Sequence, residues 1–377
     1  MAAVDPPSST GEVRHLLVAG ASGVIGTAAT EHFARLPGWR VTALSRRCPL
    51  VGGGIRFDHE AIDLHDPAAC AALIERLQPV THLVYAAASE AQGLSVGWRD
   101  PERIAENGSM FANVLVPLAR AGTLRHVSLL QGAKAYGAHV HPVTVPLREE
   151  SPRDPHANFY WLHEDLLRET ARAHGFAHTV LRPQVVMGWA PGVAMNPVAA
   201  IGAYAALCRE LALPFALPGD SAALWEMVDA GLLAEVMAWA ASTSGAAGET
   251  FNVTNGDIFV LRHVWPDLAC RLGLSVDGAA PTSFSSMLGS SESEAAWTTM
   301  AVRHGLVERS LSALLGQSAT YLDLLLAPRI ADKVSPVLLS TIKLRQQGFA
   351  PCRDSRDSLL AQLGRMVELR LLPPLFR

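Results

Sequence analysis

Short apolar runs alternate with amphipathic segments along the first half of the chain. The first run, RHLLVAG at residues 14–20, ends in glycine, and the segment VIGTAATEHFARL that begins at Val24 has apolar residues at helical spacing. Strands that alternate with helices predict an α/β fold with a doubly wound parallel sheet. Further strand-like runs, separated by helix-like segments such as PAACAALIERLQ, lie at residues 40–46, 54–58, 81–88, 125–131 and 178–183.

The alternation fades after about residue 188. Helical patterns dominate there, as in NPVAAIGAYAALCREL and LLAEVMAWAAST, and one more strand-like run, ETFNVTNG, lies at 249–256. We expect the helical half to cover the substrate, with 249–256 returning to the sheet. The predicted division is an N-terminal flexible arm at 1–11, a nucleotide-binding domain at 12–190 and a mostly helical substrate-binding region at 191–377.

Composition predicts a soluble globular protein. Of the 377 residues, 49% are hydrophobic and 18% are charged, and the mean hydropathy is +0.20. No apolar run is long enough to cross a bilayer, so no membrane partner is predicted. The net charge of −4, with basic residues scattered along the chain, argues against a nucleic-acid partner. The Ser-rich segment TSFSSMLGSSESE at 282–294 predicts a loop or a mobile flap.

The cysteines and histidines show no metal-site spacing. The five cysteines are far apart and odd in number, which favours neither a disulfide framework nor a zinc site. The N-terminal segment MAAVDPPSST lacks the cationic start and apolar core of a secretory signal, so a cytoplasmic location is predicted. The residues considered are Cys48, Cys70, Cys208, Cys270 and Cys352, and His59, His65, His139 and His141, which are interpreted as solvated loop histidines.

The glycines of GASGVIG predict a dinucleotide site. Gly20, Gly23 and Gly26 follow the first strand and open the first helix, where the backbone must turn sharply and approach a pyrophosphate at the positive end of the helix. The alternative is a glycine-rich turn without a ligand. The fold class predicted is the Rossmann type, and Ser22, Val24 and Ile25 are predicted to contact the cofactor as well.

The end of the second strand decides which dinucleotide is bound. It reads ALSRR, so that Ser45, Arg46 and Arg47 stand where an acid would bind a ribose hydroxyl, and arginines there accommodate a 2′-phosphate. NADPH/NADP is therefore the predicted cofactor, although either arginine could be a plain surface charge. Asp63 and Leu64 are predicted to contact the adenine, and for Asp63 the alternative is a helix N-cap.

The segment NFYWLHED raises a question about catalysis. A short-chain reductase carries Tyr-x-x-x-Lys, but Glu164 stands four residues after Tyr160. A tyrosine that stabilises a substrate oxyanion needs a nearby cation. Lys134, in LLQGAKAYG directly after the fifth strand, lies at the carboxyl edge of the predicted sheet and is the candidate.

Five successive segments resemble a known family. SLLQGAKAYG, NFYWLHED, LRPQVVMG, TFNVTNGD and TIKLRQQGF are similar to motifs of the progesterone 5β-reductase/iridoid synthase family, an atypical branch of the extended short-chain dehydrogenases/reductases. The resemblance implies that Lys134 takes over the role of the missing lysine beside Tyr160. It also implies NADPH-dependent reduction of α,β-unsaturated carbonyl compounds, with hydride going to the β-carbon and the tyrosine stabilising an enolate.

The resemblance extends to other site residues and to the substrate, a small hydrophobic carbonyl compound. The family's Thr-Trp pair after the fourth strand is replaced here by Ala87 and Ala88, which is expected to open pocket volume, and its Thr-Gly pair by Gln131 and Gly132. The further cofactor contacts predicted are Ala86, Gln131, Pro183 and Val186, and the predicted substrate-pocket residues are Ala88, Met195, Asn196 and Phe349.

Two other functions remain open at this stage. The same Tyr and Lys could polarise a ketone in a carbonyl (1,2) reductase or in an epimerase-like short-chain enzyme. A non-catalytic NADP(H)-sensing protein is the other alternative, and it should lack the catalytic pair. A homodimer is compatible with the sequence.

Overall fold

The computed structural model describes residues 13–89, 98–219, 222–326 and 336–376. The strands are β1 (Arg14–Ala19), β2 (Trp39–Ser45), β3 (Asp58–Ala61), β4 (His82–Tyr85), β5 (His126–Leu130), β6 (Ala177–Pro183), β7 (Val185–Met187), β8 (Leu224–Trp225), β9 (Met227–Asp229), β10 (Glu249–Val253) and β11 (Phe259–Val260). Seven of them form a central parallel sheet in the order β10-β6-β5-β4-β1-β2-β3, which confirms the predicted fold class.

Helices cover both faces of this sheet. Successive side chains of a strand point to opposite faces, so each central strand buries two apolar sets. The helices are α1 (Val24–Arg35), α2 (Pro67–Leu77), α3 (Pro101–Arg120), α4 (Phe159–His174), α5 (Pro197–Glu210), α6 (Ala230–Ala240), α7 (Leu261–Leu272), α8 (Phe284–Leu288), α9 (Ser291–His304), α10 (Leu311–Leu315), α11 (Ser318–Leu326), α12 (Ile342–Gln346) and α13 (Ser355–Glu368). In β1, Leu17 belongs to the core beneath α2, α3 and α4, and Leu16 to the core beneath α1 and α6.

Two local predictions were wrong. The strand predicted at 54–58 lies later in the chain, as β3. Among the described residues β3 pairs with β2 alone, and such an edge strand can form from polar residues without an apolar pattern. The predicted Ser-rich loop at 282–294 forms α8 and the start of α9. Its serines are helix caps, since Ser283 accepts a hydrogen bond from the Ser286 amide and Ser290 from the Ser293 amide.

The chain returns to the sheet after residue 190. The run predicted at 249–256 contributes β10, which pairs in parallel with β6, and α6 packs on α1. A separate core of the helical half surrounds α5, whose residues from Pro197 to Cys208 are all buried. The predicted arm at 1–11 lies outside the described residues. No helix in the described ranges is long and apolar enough to cross a membrane.

Candidate active site

A cavity of about 580 Å³ lies at the carboxyl ends of the sheet strands and extends to the helical half. All but three of the predicted site residues line it. The predicted residues in the cavity wall are Gly20, Ser22, Gly23, Val24, Ile25, Ser45, Arg46, Arg47, Asp63, Leu64, Ala86, Ala88, Gln131, Lys134, Tyr160, Pro183, Val186 and Met195. This is the edge of a doubly wound sheet where ligands bind.

The glycines Gly20 and Gly26, at the junction of β1 and α1, stand where there is no room for a side chain. Gly20 has a φ of +82°, and a Cβ there would lie 2.6 Å from the Ala87 backbone nitrogen. A Cβ on Gly26 would lie 2.2 Å from the Gly20 carbonyl oxygen, so Gly26 serves the close packing of helix on strand and does not itself line the cavity. No side chain caps α1 at Gly23, and its first turn contains no acid, so the positive helix end is left for an anion.

The tip of β2 forms another part of the cavity wall. Arg46 and Arg47 follow the strand and are exposed, and the Arg47 guanidinium donates to the Pro191 carbonyl at 3.2 Å. Asp63 is not a helix N-cap, because Asp66 caps α2. Instead Asp63 accepts hydrogen bonds from the backbone and ring of His65, which, aided by the Arg46 charge, lower the pKa of its carboxyl.

Tyr160 and Lys134 reach the cavity from separate elements. Tyr160 is in the first turn of α4, and its hydroxyl lies beside Gly132, 3.5 Å from where a Cβ of that glycine would be. Lys134 is in a 3₁₀ turn that follows β5, at Ala133–Tyr136. The Asn158 side chain joins the two segments, since it accepts from the Tyr160 amide at 3.0 Å and donates to the Lys134 carbonyl at 3.2 Å.

Trp98 joins this pair and was missed by the sequence analysis. Its ring centroid lies 3.5 Å from the Lys134 ammonium and 5.4 Å from the Tyr160 ring, and it also packs against Phe159. Such a cation–π contact places the ammonium over the indole face. An indole therefore lies beside Lys134 and Tyr160 even though Ala88 replaces the family's tryptophan. No local sequence pattern connects Trp98 with α4, since they meet only in three dimensions.

Glu164, at the position of the usual lysine, is buried and belongs to an ion-pair network with one buried and two exposed arginines. Its carboxylate lies 3.3 Å from Arg182 on β6 and 2.9 Å from Arg168, and it also contacts Arg153. Burial raises the pKa of Glu164, but the three arginines outweigh that effect and the net shift is downward. Gln131 donates to the same carboxylate at 3.3 Å and accepts from Arg182 at 2.9 Å. Glu164 thus anchors α4 to β5 and β6.

Two predicted pocket residues lie outside the cavity wall. Phe349 was wrongly placed there: it is buried in the core beneath α6, with its ring centroid 5.8 Å from that of Trp239. Asn196 is also buried, and its side chain caps α5 by accepting from the Val198 amide at 3.2 Å. The helical half also contributes Gly316, Gln317 and Tyr321 to the cavity wall. No site residue was predicted in the segment 316–321.

Asn107, on α3, supports the backbone beside the cavity. Its side-chain oxygen accepts from the Ser89 amide at 2.8 Å, and its nitrogen donates to the Ser89 and Arg103 carbonyls. The Asn107 carbonyl in turn accepts from the His163 ring at 2.8 Å. These bonds hold the segment after β4, which lines the cavity, against α3 and α4.

Comparisons with known proteins agree with this architecture. Residues 16–254 match the NAD dependent epimerase/dehydratase family. The chain is 29% identical to an (S)-8-oxocitronellyl enol synthase of Antirrhinum majus, over 95% of this chain and 92% of the relative. It is also 29% identical to a 3-oxo-Delta(4,5)-steroid 5-beta-reductase of Arabidopsis thaliana, over 98% of this chain and 95% of the relative.

The solved structures compared support the fold alone. A UDP-glucose 4-epimerase of Thermus thermophilus, in complex with NAD, superposes with a TM-score of 0.62 at 20% identity, over 93% of this chain and 98% of that one. The two curated relatives span nearly all of this chain and carry the names that the five motifs imply. The chain therefore belongs to the NAD dependent epimerase/dehydratase family and, within it, to the progesterone 5β-reductase/iridoid synthase branch.

Proposed function

We propose that this enzyme is an NADPH-dependent reductase of α,β-unsaturated carbonyl compounds. One observation carries the proposal: Tyr160 and Lys134, on different elements, border the same cavity as the glycine turn. The named relatives, an enol synthase and a steroid 5-beta-reductase, support this reaction class. Their substrates suggest a small apolar carbonyl compound, and the apolar side chains of Trp98, Met195 and Ala88 suit one.

The residues present fit a nicotinamide dinucleotide. Side chains at Gly20 or Gly26 would collide with backbone. Because glycines stand there, α1 can start close to the end of β1, and its uncapped amino terminus borders the cavity, where it could bind a pyrophosphate. Arg46, at the tip of β2, would hold a 2′-phosphate through charge-assisted hydrogen bonds. When bound, the cofactor supplies the hydride. Lys134 would contact the ribose next to the nicotinamide.

The protein's own side chains would stabilise the negative charge that develops on the substrate. The Tyr160 hydroxyl would donate a hydrogen bond to the carbonyl oxygen, where negative charge develops as the β-carbon is reduced. The partly buried Lys134 ammonium adds a nearby positive charge, whose effect is greater than in bulk water because part of its surroundings is protein. Tyr160 is buried, with its ring packed against Trp98, so its hydroxyl is aimed before the substrate arrives.

A substrate panel tests the proposal. Purified protein is mixed with NADPH and, separately, with cyclic enones, enals and saturated ketones, and the products are identified. We expect NADPH oxidation with enones or enals and saturation of the carbon–carbon double bond. Reduction of the carbonyl alone would support the 1,2-reductase instead, and binding of NADPH without turnover of any compound would support a sensing protein.

A further inference from the structure

Three alternate residues before Tyr160 form a hydrogen-bonded series. In the segment DPHANFY, Asp154, His156 and Asn158 are spaced by two, and each bonds to the next. The His156 ring lies 2.6 Å from an Asp154 carboxylate oxygen through Nδ1 and 3.0 Å from the Asn158 amide nitrogen through Nε2. The series ends at the two proposed catalytic residues.

Backbone groups fix the orientation of the Asn158 side chain. The Tyr160 amide can only donate, so the atom that faces it at 3.0 Å is the oxygen of Asn158. The Lys134 carbonyl can only accept, so the atom that faces it at 3.2 Å is the Asn158 nitrogen. Asn158 therefore holds the backbone of both proposed catalytic residues at once, and it is itself buried.

The same logic fixes His156. The second N–H of Asn158 points to Nε2 of His156, so this nitrogen accepts, and Nδ1 carries the proton that is donated to Asp154. The other Asp154 oxygen lies 2.6 Å from the His141 ring. Gly137, which ends the turn that carries Lys134, leaves space for Asp154, since a Cβ there would lie 2.6 Å from that carboxylate. Asp154 therefore packs directly against the end of this turn.

This arrangement matters because the tyrosine and lysine do not share a helix. In Tyr-x-x-x-Lys the two side chains are one helical turn apart, and the helix itself sets their spacing. Here Tyr160 begins α4, whereas Lys134 lies in a 3₁₀ turn after β5, and the position one turn after Tyr160 is used by Glu164 for its arginine network. The spacing must come from contacts between the two segments.

We propose that Asp154, His156 and Asn158 are positioning residues that set the placement of Lys134 relative to Tyr160. The inference rests on the proposed function of that pair. Asn158 makes the bridge, His156 holds its amide in the orientation that can bridge, and Asp154 holds the histidine. Loss of the bridge should weaken cofactor binding only slightly, through the ribose contact of Lys134, and should mainly misplace the groups that stabilise charge on the substrate oxygen.

Asn158→Ser separates the bridge from the helix cap. Serine still caps α4, because its hydroxyl accepts from the helix amides, but it is too short to reach the Lys134 carbonyl as well. We expect kcat to fall by roughly 10- to 100-fold, as small misplacements at a reacting centre do. The Kd for NADPH should change by no more than about twofold, because Asn158 does not line the cavity and the ribose contact of Lys134 would be one of many contacts to the cofactor. Asp354→Ser, which replaces the cap of remote α13, is the matched control and should leave kcat unchanged.

His156 offers a test by rescue. His156→Ala should lower kcat about 10-fold. His156→Gln should recover most of that loss, since a glutamine can accept from Asn158 and donate to Asp154 as the neutral imidazole does. A role in stability alone would lower the melting temperature without this difference in kcat. Equal kcat in wild type and Asn158→Ser, or equal loss in both His156 variants, would overturn the proposal.

A readout without turnover separates this inference from the proposed function. The chain has three lysines, Lys134, Lys333 and Lys343, so reductive ¹³C-methylation gives three side-chain signals that can be assigned by substitution. The Lys134 signal should be displaced by the Trp98 ring, 3.5 Å away, and should move towards an ordinary lysine position in Asn158→Ser. An inactive wild type would contradict the proposed function only, whereas an unmoved Lys134 signal in Asn158→Ser would contradict the positioning role.

Discussion

At the carboxyl edge of the parallel sheet, polar side chains face a cavity, whereas at the amino edge they face one another. Lys134 and Tyr160 border the space of about 580 Å³ described above. At the opposite edge, neighbouring strands begin with histidines, and the rings of His82 and His126 are 6.4 Å apart. The amino-edge residues are His15 on β1, His82 on β4, His126 on β5 and His178 on β6.

Burial favours the neutral form of the amino-edge histidines, and three of them, His15, His82 and His126, bond to threonine hydroxyls. His15 bonds to Thr42 at 2.9 Å and His126 to Thr179 at 3.0 Å. Burial, with repulsion from neighbouring His126 and arginines, lowers the pKa of His82 to about 3, and burial with repulsion from His178 lowers that of His126 to about 4. The contrast teaches that burial alone does not make a polar residue functional. A buried polar residue that borders a cavity is available for chemistry, whereas one that contacts only other protein groups contributes to stability.

The largest effect is expected from a tyrosine at the cavity. Tyr160→Phe should lower kcat about 1,000-fold, because one oxyanion donor is removed. NADPH binding and the melting temperature should change little. Tyr136→Phe is the control in the protein interior, since that hydroxyl donates to Asn252 at 2.7 Å. It should lower the free energy of unfolding by about 1–2 kcal/mol and spare kcat. Unchanged turnover in Tyr160→Phe would remove the proposed oxyanion role.

A smaller loss is expected from the lysine. Lys134→Ala should lower kcat/KM about 100-fold, and adding Glu164→Lys should not restore it. Residue 164 lies among Arg153, Arg168 and Arg182, so a lysine there would meet three cations instead of pairing with them. Steady-state kinetics of both variants measure this, with circular dichroism to establish that they are folded. Lys343→Ala, which removes a distant ion pair with Glu249, is the control. Full restoration by Glu164→Lys would show an ordinary Tyr-x-x-x-Lys arrangement.

The histidines at the amino edge should make the free energy of unfolding depend on pH. In the folded protein the pKa of His126 is lowered to about 4, so the unfolded chain takes up the proton first as pH falls. Stability is therefore present above about pH 6.5 and is lost as pH falls from there towards 4. At pH 5 this histidine should cost about 2 kcal/mol of unfolding free energy.

Replacing the titrating ring tests this. His126→Gln keeps a donor for Thr179 and should reduce the stability difference between pH 7 and pH 5 by about 2 kcal/mol in urea titrations. His174→Gln, an exposed histidine near the end of α4, should leave that difference unchanged. The same pH dependence in wild type and His126→Gln would mean that folding does not lower the pKa of His126.

The smallest effect is expected for cofactor preference, which is tested with two arginines at opposite ends of β2. Arg46→Ala, at the carboxyl end of β2, should reduce the preference for NADPH over NADH about 10-fold, by loss of charge-assisted bonds to the 2′-phosphate. Arg40→Ala, at the amino end of the same strand, removes an exposed ion pair with Asp58 of 2.9 Å and should leave the preference intact. Comparison of kcat/KM for the two cofactors decides, and equal efficiency in the wild type would contradict the choice of NADPH.

Much of the fold was predictable because its signals are local. The order of strands and helices through β6 could be predicted from apolar runs and helical spacing, and the glycine turn from Gly20, Gly23 and Gly26. Local patterns failed where neighbours in space decide. β3 is a polar edge strand with one partner, and the serines of 282–294 cap helices that pack into the core of the helical half.

The candidate site divides in the same way. The sequence by itself pointed to Tyr160, to Lys134 and to the arginines after β2, because each stands at a recognisable place beside a strand or helix end. Three features were revealed only by the tertiary structure: the contact of Trp98 with Lys134, the burial of Phe349 in the core, and the ion pairs of Glu164 with three arginines. These partners are far apart along the chain, and their contacts depend on how helices and loops pack over the sheet. Apolar periodicity specifies which face of an element is buried, but it does not specify which side chain of another element will meet it.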